Sequence, residues 1–212
     1  MIFNDHSNLE GKHALLSPSG YSWVNYPMSG DEQLRARYLA QYAQSVGTVL
    51  HEFAQKHISF GSKLTKTDKK HVLFYLYDRG IPRDAVDIDY VFENLCHYVN
   101  DAIGYRLRPE VILYYSDSCF GTADAINYRD GLLRIHDLKT GKTPTHMEQL
   151  DIYAALFCLE YNFKPSELNM ELRIYQSDEV IIRTPTATDI LPIMDKIVTF
   201  DKKIAKMKAE VF

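Results

Sequence analysis

Residues 120–153 read FGTADAINYRDGLLRIHDLKTGKTPTHMEQLDIY, and the Asp130-Gly131 pair in the middle of this stretch decides how its surroundings fold. Asp-Gly between two runs of strand-forming residues predicts a two-residue hairpin turn. Residues equidistant from that turn then face one another: Asp124 lies opposite Asp137, Ile126 opposite Ile135 and Thr122 opposite Lys139. Side chains alternate along a strand, so the spacing predicts Asp124, Asp137 and Lys139 on one face of the hairpin. Cross-strand neighbours have Cβ atoms roughly 4.5–5.5 Å apart, and like charges there repel. Two facing aspartates in an apolar hairpin call for a cation. Carboxylate oxygens favour a hard divalent ion, Mg²⁺ or Mn²⁺. A longer loop or a bulge would shift the register and separate the pair.

Outward from the hairpin, Arg108 to Ser116, with its VILYY run, reads as a strand. Cys119 to Tyr128 and Leu132 to Thr140 are the hairpin arms. Thr143-Pro144 reads as cap and first-turn proline of a helix reaching about Glu160. Gln149 and Tyr153, four apart, share a face of that helix. Asn169 to Gln176 and Glu179 to Arg183 are further strands, and Asp189 to Lys208 is a closing amphipathic helix. Upstream, Asp31 to Ile58 has helical periodicity, with Gly47 as a candidate break. His51 falls beside its apolar stripe, with Gly47 and Ala54, small residues that let another element approach closely. Helices from Thr67 to Tyr77 and from Asp84 to Ile103 form an inserted layer without evident chemistry. Glu110, at the start of the first strand, is a weaker candidate oxygen ligand. The expected fold class is mixed α/β in a single domain: residues 1–105 mainly helical, 106–185 sheet and helix, 186–212 the closing helix.

The chain has 212 residues, a formal net charge of −4, and 46% hydrophobic and 25% charged residues, ordinary values for a globular protein. No apolar run approaches the roughly 20 residues that span a bilayer, and the N-terminus lacks signal-peptide character, so the cytoplasm is the expected compartment. The acidic balance excludes a uniformly basic DNA-coating surface, yet lysines cluster at Lys63, Lys66, Lys69 and Lys70 and again at Lys202, Lys203, Lys206 and Lys208. Cys96, Cys119 and Cys158 form no C-x-x-C and read as free thiols.

The ordered set GTADAI, DLKTGK with Asp137 thirteen positions after Asp124, and Gln149-x-x-x-Tyr153 resembles the RecB-type branch of the PD-(D/E)XK nucleases. GTVLHEF, Gly47 to Phe53, resembles that family's histidine motif. The likeness covers about Ser17 to Tyr175. D-x-K alone also occurs at Asp68–Lys70 and Asp201–Lys203, in polar segments. The resemblance implies a restriction-endonuclease-like αβββαβ core and a metal-dependent DNA nuclease, an exonuclease used in recombination, repair or phage DNA processing. It implies His51, Asp124, Asp137 and the Leu138 backbone carbonyl as ligands of Mg²⁺ or Mn²⁺, with Glu110 nearby. Lys139 would orient the attacking water or stabilise developing charge, and Gln149 and Tyr153 would position the phosphate or the lysine. Some relatives hold an iron–sulfur cluster on four cysteines, but here Tyr26 precedes Pro27 where a cysteine often stands, so no cluster is expected. The implied partners are single- or double-stranded DNA and a recombination or single-strand-binding protein, with no membrane.

Two other readings remain open: a nuclease-fold module that binds DNA or a partner without catalysis, and a hydrolase of another phosphoester. Gly141-Lys142-Thr143 looks like the end of a phosphate-binding loop, but that loop needs glycine where His136 stands.

Overall fold

The computed structural model describes residues 15–16, 23, 25–141 and 146–211. Asp130 and Gly131 take φ values of 52° and 79°, the paired left-handed conformation of a two-residue hairpin turn. The strands it joins, β2 (Cys119–Arg129) and β3 (Leu132–Leu138), pair from Arg129↔Leu132 to Ala125↔His136, the expected register. With β1 (Arg108–Ser116), β4 (Asn169–Gln176) and β5 (Glu179–Arg183) they form a five-stranded sheet in the order β1-β2-β3-β4-β5. Only β3 and β4 are parallel. Their crossover carries helix α5 (Glu148–Glu160), as a parallel connection requires. The mixed α/β sheet with flanking helices agrees with the expected class.

A hydrophobic core lies on each face of the sheet. On one, α5 and α6 (Ala187–Val211) cover Leu113, Ala123, Ile126, Leu133 and Ile135. On the other, α2 (Ala43–Phe60) and α4 (Ile88–Gly104) cover Ala125, Leu138 and Tyr175. Each fully buried leucine or isoleucine contributes about 1.5–3 kcal/mol, so the sheet is held between two fixed walls. The edge strand β1 is blunted at one point, where Glu160 accepts the Tyr114 backbone N–H at 2.8 Å.

Side-chain alternation fails at one place, and that place matters. Ala123 and Ile126 both enter the α5-side core, while Ala125 enters the opposite one. Residues three apart on a regular strand point to opposite faces, so β2 is irregular at Asp124. On β1 the residue at the same level, Glu110, has φ 53°, and the ladder passes from Pro109↔Ala125 to Val111↔Ala123 without pairing Glu110 and Asp124. Both strands break together, so the register is kept.

The helical layer departs from expectation in detail. The break before α2 falls at Gln41–Tyr42, after α1 (Asp31–Ala40), and Gly47 lies inside α2. The reason for glycine there is proximity: a Cβ at Gly47 would sit 3.3 Å from Thr140 Oγ1. Helix α3 (Lys69–Asp78) starts two residues later than the expected Thr67 and follows a short 3₁₀ turn capped by Thr65 and Asp68. Helix α4 starts at Ile88, with the Asp87 carboxylate accepting the Tyr90 N–H. Helix α5 begins at Glu148, whereas the expected start at Thr143-Pro144 lies outside the described residues, as does most of the segment around Ser17 to Pro27. Among the described residues no helix is long and apolar enough to cross a membrane.

Candidate metal centre

Beyond Ala125↔His136 the next ladder bond of β3 is made by a side chain. The Leu138 backbone N–H donates to Asp124 Oδ2 at 3.0 Å, where a β2 backbone carbonyl would otherwise accept it. On the other side, the Lys139 N–H donates to the Tyr175 carbonyl of β4 at 3.0 Å. A strand residue points its N–H and C=O the same way, so the Leu138 carbonyl also aims at the gap where β2 leaves β3.

Asp124 meets His51 across that gap, with Nδ1 to Oδ2 at 3.4 Å. Glu110 completes the group: ligand atoms of His51, Glu110 and Asp124 all lie within 4.8 Å of one another. Burial, then the charge of Asp124, raise the Glu110 carboxyl above its ordinary pKa, against the pull of His51. The three residues come from α2, β1 and β2. Gly47, one turn before His51, permits the approach of Thr140 that seats α2 against the end of β3.

Asp137 follows Leu133 and Ile135 on the α5 side of β3 and is 2% exposed. Lys139 Nζ donates to its Oδ1 at 3.1 Å and to Gln149 Oε1 at 2.9 Å. Gln149 Nε2 lies 3.4 Å from the Tyr153 hydroxyl, which donates to the Thr122 carbonyl at 2.6 Å. Desolvation pushes Asp137 up to about 6, with Asp124 adding to the rise and Lys139 opposing it. Burial also raises Tyr153.

The sequence-derived residues therefore gather in two sets. His51, Glu110 and Asp124 form one. Asp137, Lys139, Gln149 and Tyr153 form the other, with the Leu138 backbone and the mutual repulsion of Asp124 and Asp137 linking them. The expected cross-strand pair of Asp124 and Asp137 on one face is not made. The ladder ends at Ala125↔His136, Asp137 lies on the α5 side, and the Asp124 carboxylate sits in the break of β2 and turns to α2 and to Leu138. The His51–Glu110–Asp124 set, one imidazole and two carboxylates, suits a divalent cation, and the Asp137–Lys139 pair stands beside it. Asp137 Oδ2 is buried and makes no hydrogen bond, although Lys139 Nζ stands 2.9 Å away, off the line such a bond needs. The ion pair with Lys139 offsets part of the cost of burying this carboxylate.

Two contributors escaped sequence reasoning. Thr140 touches the α2 face at Gly47, and the Thr122 carbonyl anchors Tyr153. Neither residue type carries a motif, although the small side chains of the GTADAI stretch hint at close packing: a Cβ at Gly121 would lie 3.0 Å from the Tyr153 ring.

No curated protein matches this chain. A solved structure titled "Crystal structure of SSO0001" is similar over 70% of this chain and 85% of that one, at 11% identity and a TM-score of 0.31, a likeness that carries no argument. A family does match, over residues 13–180, and the chain belongs to it: the family described as "Protein of unknown function (DUF2800)".

Proposed function

We propose that this protein is a divalent-metal-dependent DNA nuclease that hydrolyses phosphodiester bonds at strand ends. The observation that carries this reading is the convergence of His51, Glu110 and Asp124 within 4.8 Å, beside the buried Asp137–Lys139 pair. A Mg²⁺ or Mn²⁺ ion held by His51, Asp124, Asp137 and the Leu138 carbonyl, with Glu110 as a further ligand, would neutralise phosphate charge and acidify a bound water.

The remaining tasks fall to the chain's own groups. Lys139, fixed between Asp137 and Gln149, keeps a positive charge where negative charge develops on the phosphate. A cationic lysine at that place suits charge stabilisation better than proton abstraction. Gln149 holds the lysine, and Tyr153, through Thr122, keeps α5 seated on β2. Helix α2 brings His51 to the sheet. DNA recombination, repair or phage DNA processing in a cytoplasm is the setting this chemistry serves, alongside a recombination or single-strand-binding protein.

The test is an assay on end-labelled single- and double-stranded DNA with Mg²⁺, Mn²⁺ or chelator. Metal-dependent shortening from the ends supports the reading. A folded protein that binds DNA but cleaves none of it with either ion is a binding module instead.

A further inference from the structure

The sheet has two edge strands, and they are finished differently. Strand β1 carries Pro109, breaks at Glu110 and gives its Tyr114 N–H to Glu160. Strand β5 pairs with β4 over all five of its residues, from Gln176↔Glu179 to Leu172↔Arg183, without a bulge. The Tyr175 carbonyl turns to β3, where it accepts the Lys139 N–H, so Val180 opposite it makes no ladder bond to β4. Val180 and, two residues on, Ile182 therefore point N–H and C=O outward. Among the described residues no strand lies on that side.

The side chains leave this edge adhesive rather than guarded. Val180 is 38% exposed, Ile181 40% and Ile182 53%. Ile181 lies on the α5 side, opposite Ile174, and its two neighbours lie on the other face, so both faces are apolar at the edge. No lysine, proline or bulge interrupts the run, and such an edge is a template for another strand. Its charges stand only at its ends, Glu179 and Arg183. The Arg183 guanidinium meets Asp151 at 3.4 Å and Asp189 at 3.2 Å in its own chain and stays partly exposed.

We propose that a second copy of this chain fills the edge: two β5 strands pair antiparallel about a two-fold axis at Ile181 and join the two sheets into one. The strand itself selects this occupant. Full overlap of Glu179–Arg183 with its own copy sets Ile181 opposite Ile181 and Val180 opposite Ile182. In that register the outward groups of Val180 and Ile182 meet their complements. Glu179 stands opposite Arg183 of the second copy, so no like charges face each other. Pairing with β1 of another copy would meet Pro109 and the break at Glu110 and leave an edge open at each end, whereas the β5 pair closes on itself. Five residues a side make a small contact, so the dimer belongs to the weak, concentration-dependent class. No residue of the metal centre lies on β5, and each copy keeps its own.

The test is analytical sedimentation of the full chain over a concentration series reaching about 100 µM, a range suited to weak contacts. Wild type should dimerise. Ile182→Pro removes an outward N–H without touching the β4 ladder, and Ile181→Lys sets two lysines face to face. Each should weaken the dimer about 10-fold or more. Melting curves close to wild type show that the variants fold; should the proline variant unfold, the lysine variant and the cysteine pair below carry the test. Under copper–phenanthroline oxidation Ile181→Cys should cross-link to its own copy, since a directly opposed, non-hydrogen-bonded pair brings Cβ atoms within disulfide reach. Val180→Cys, opposite Ile182, should cross-link no more than wild type, whose Cys96, Cys119 and Cys158 set the background. A wild type that stays monomeric throughout overturns the proposal. So does a dimer that folded Ile182→Pro and Ile181→Lys leave as tight as wild type, which puts the contact on another surface. Cross-linking at Val180→Cys rather than at Ile181→Cys overturns it too, because the register or the occupant is then a different one.

Discussion

A Cβ added at Gly121 would stand 3.0 Å from Cε1 of Tyr153, whose hydroxyl is tied to the Thr122 carbonyl at 2.6 Å. The ring must shift by a few tenths of an ångström to admit that carbon, which strains the bond. Gly121→Ala should therefore cost about 1–3 kcal/mol, the usual scale for overpacking, and lower the proposed nuclease activity by displacing Tyr153 and Gln149. Tyr153→Phe, which removes only the hydroxyl, should cost about 1 kcal/mol. Thermal melting ranks the two variants, and an alanine variant as stable and active as wild type contradicts the packing argument.

Asp124→Asn keeps an oxygen to accept the Leu138 N–H and removes one charge near Asp137. Without metal it should melt no lower than wild type. Asp124→Ala leaves the N–H of a buried residue unpaired and should lose about 1–3 kcal/mol. With Mn²⁺ at 100 times its dissociation constant, wild type should gain about 2.7 kcal/mol, and both variants much less. Cleavage by Asp124→Asn should fall by orders of magnitude. Melting with and without Mn²⁺ reads the first effects, and near-normal cleavage by this variant would remove Asp124 from the ligand set.

Lys139→Ala should separate chemistry from metal binding. The ligands survive, so Mn²⁺ should still raise the melting temperature, while cleavage should drop at least 100-fold once the charge beside the phosphate is gone. Loss of the Mn²⁺ effect in this variant would mean that Lys139 organises the ligands themselves.

Acid should reveal two buried groups acting in opposite directions. Asp137 is raised to about 6 from 3.8, so its protonated form is favoured in the folded state. Its stabilising contribution is full below about pH 4 and is lost as pH rises through 6, a swing on the order of 3 kcal/mol. His136, fully buried and beside Arg173 and Arg134, is lowered to about 3 from 6.5. Its contribution is full above pH 6.5 and is lost as pH falls toward 3. In metal-free wild type the two slopes offset between pH 4 and 6, whereas Asp137→Asn should destabilise in acid more steeply. Denaturant melts from pH 4 to 7.5 measure this, and parallel curves for the two proteins would contradict the assignment to Asp137.

The hairpin was legible because its cause is local: Asp130-Gly131 takes a conformation that few residue pairs tolerate, and the register follows. The position of Asp124 was not, because alternation assumes an unbroken ladder. Here a side chain replaces a backbone acceptor and Glu110 adopts φ 53°, both outcomes of packing between strands. Gly47 was read as a possible break when its role is to let Thr140 approach, and a glycine's neighbours are invisible in sequence. The gathering of His51 with Asp124 was expected only from the family likeness, since a helical histidine has no partner until the helix is docked.

Helix α4 carries no candidate site residue, yet its Tyr90 reaches both Ser177 at the β4–β5 turn and the carbonyl of Gly141, which Gln176 also holds at 2.6 Å. Asn94, one turn on, accepts the N–H of Asp178 in the same turn. Gly141 opens the link between Lys139 and Gln149. The inserted layer is thus no detachable ornament: a shortened chain without α4 would keep every residue named in the motifs and lose the clamp that fixes the distance between them.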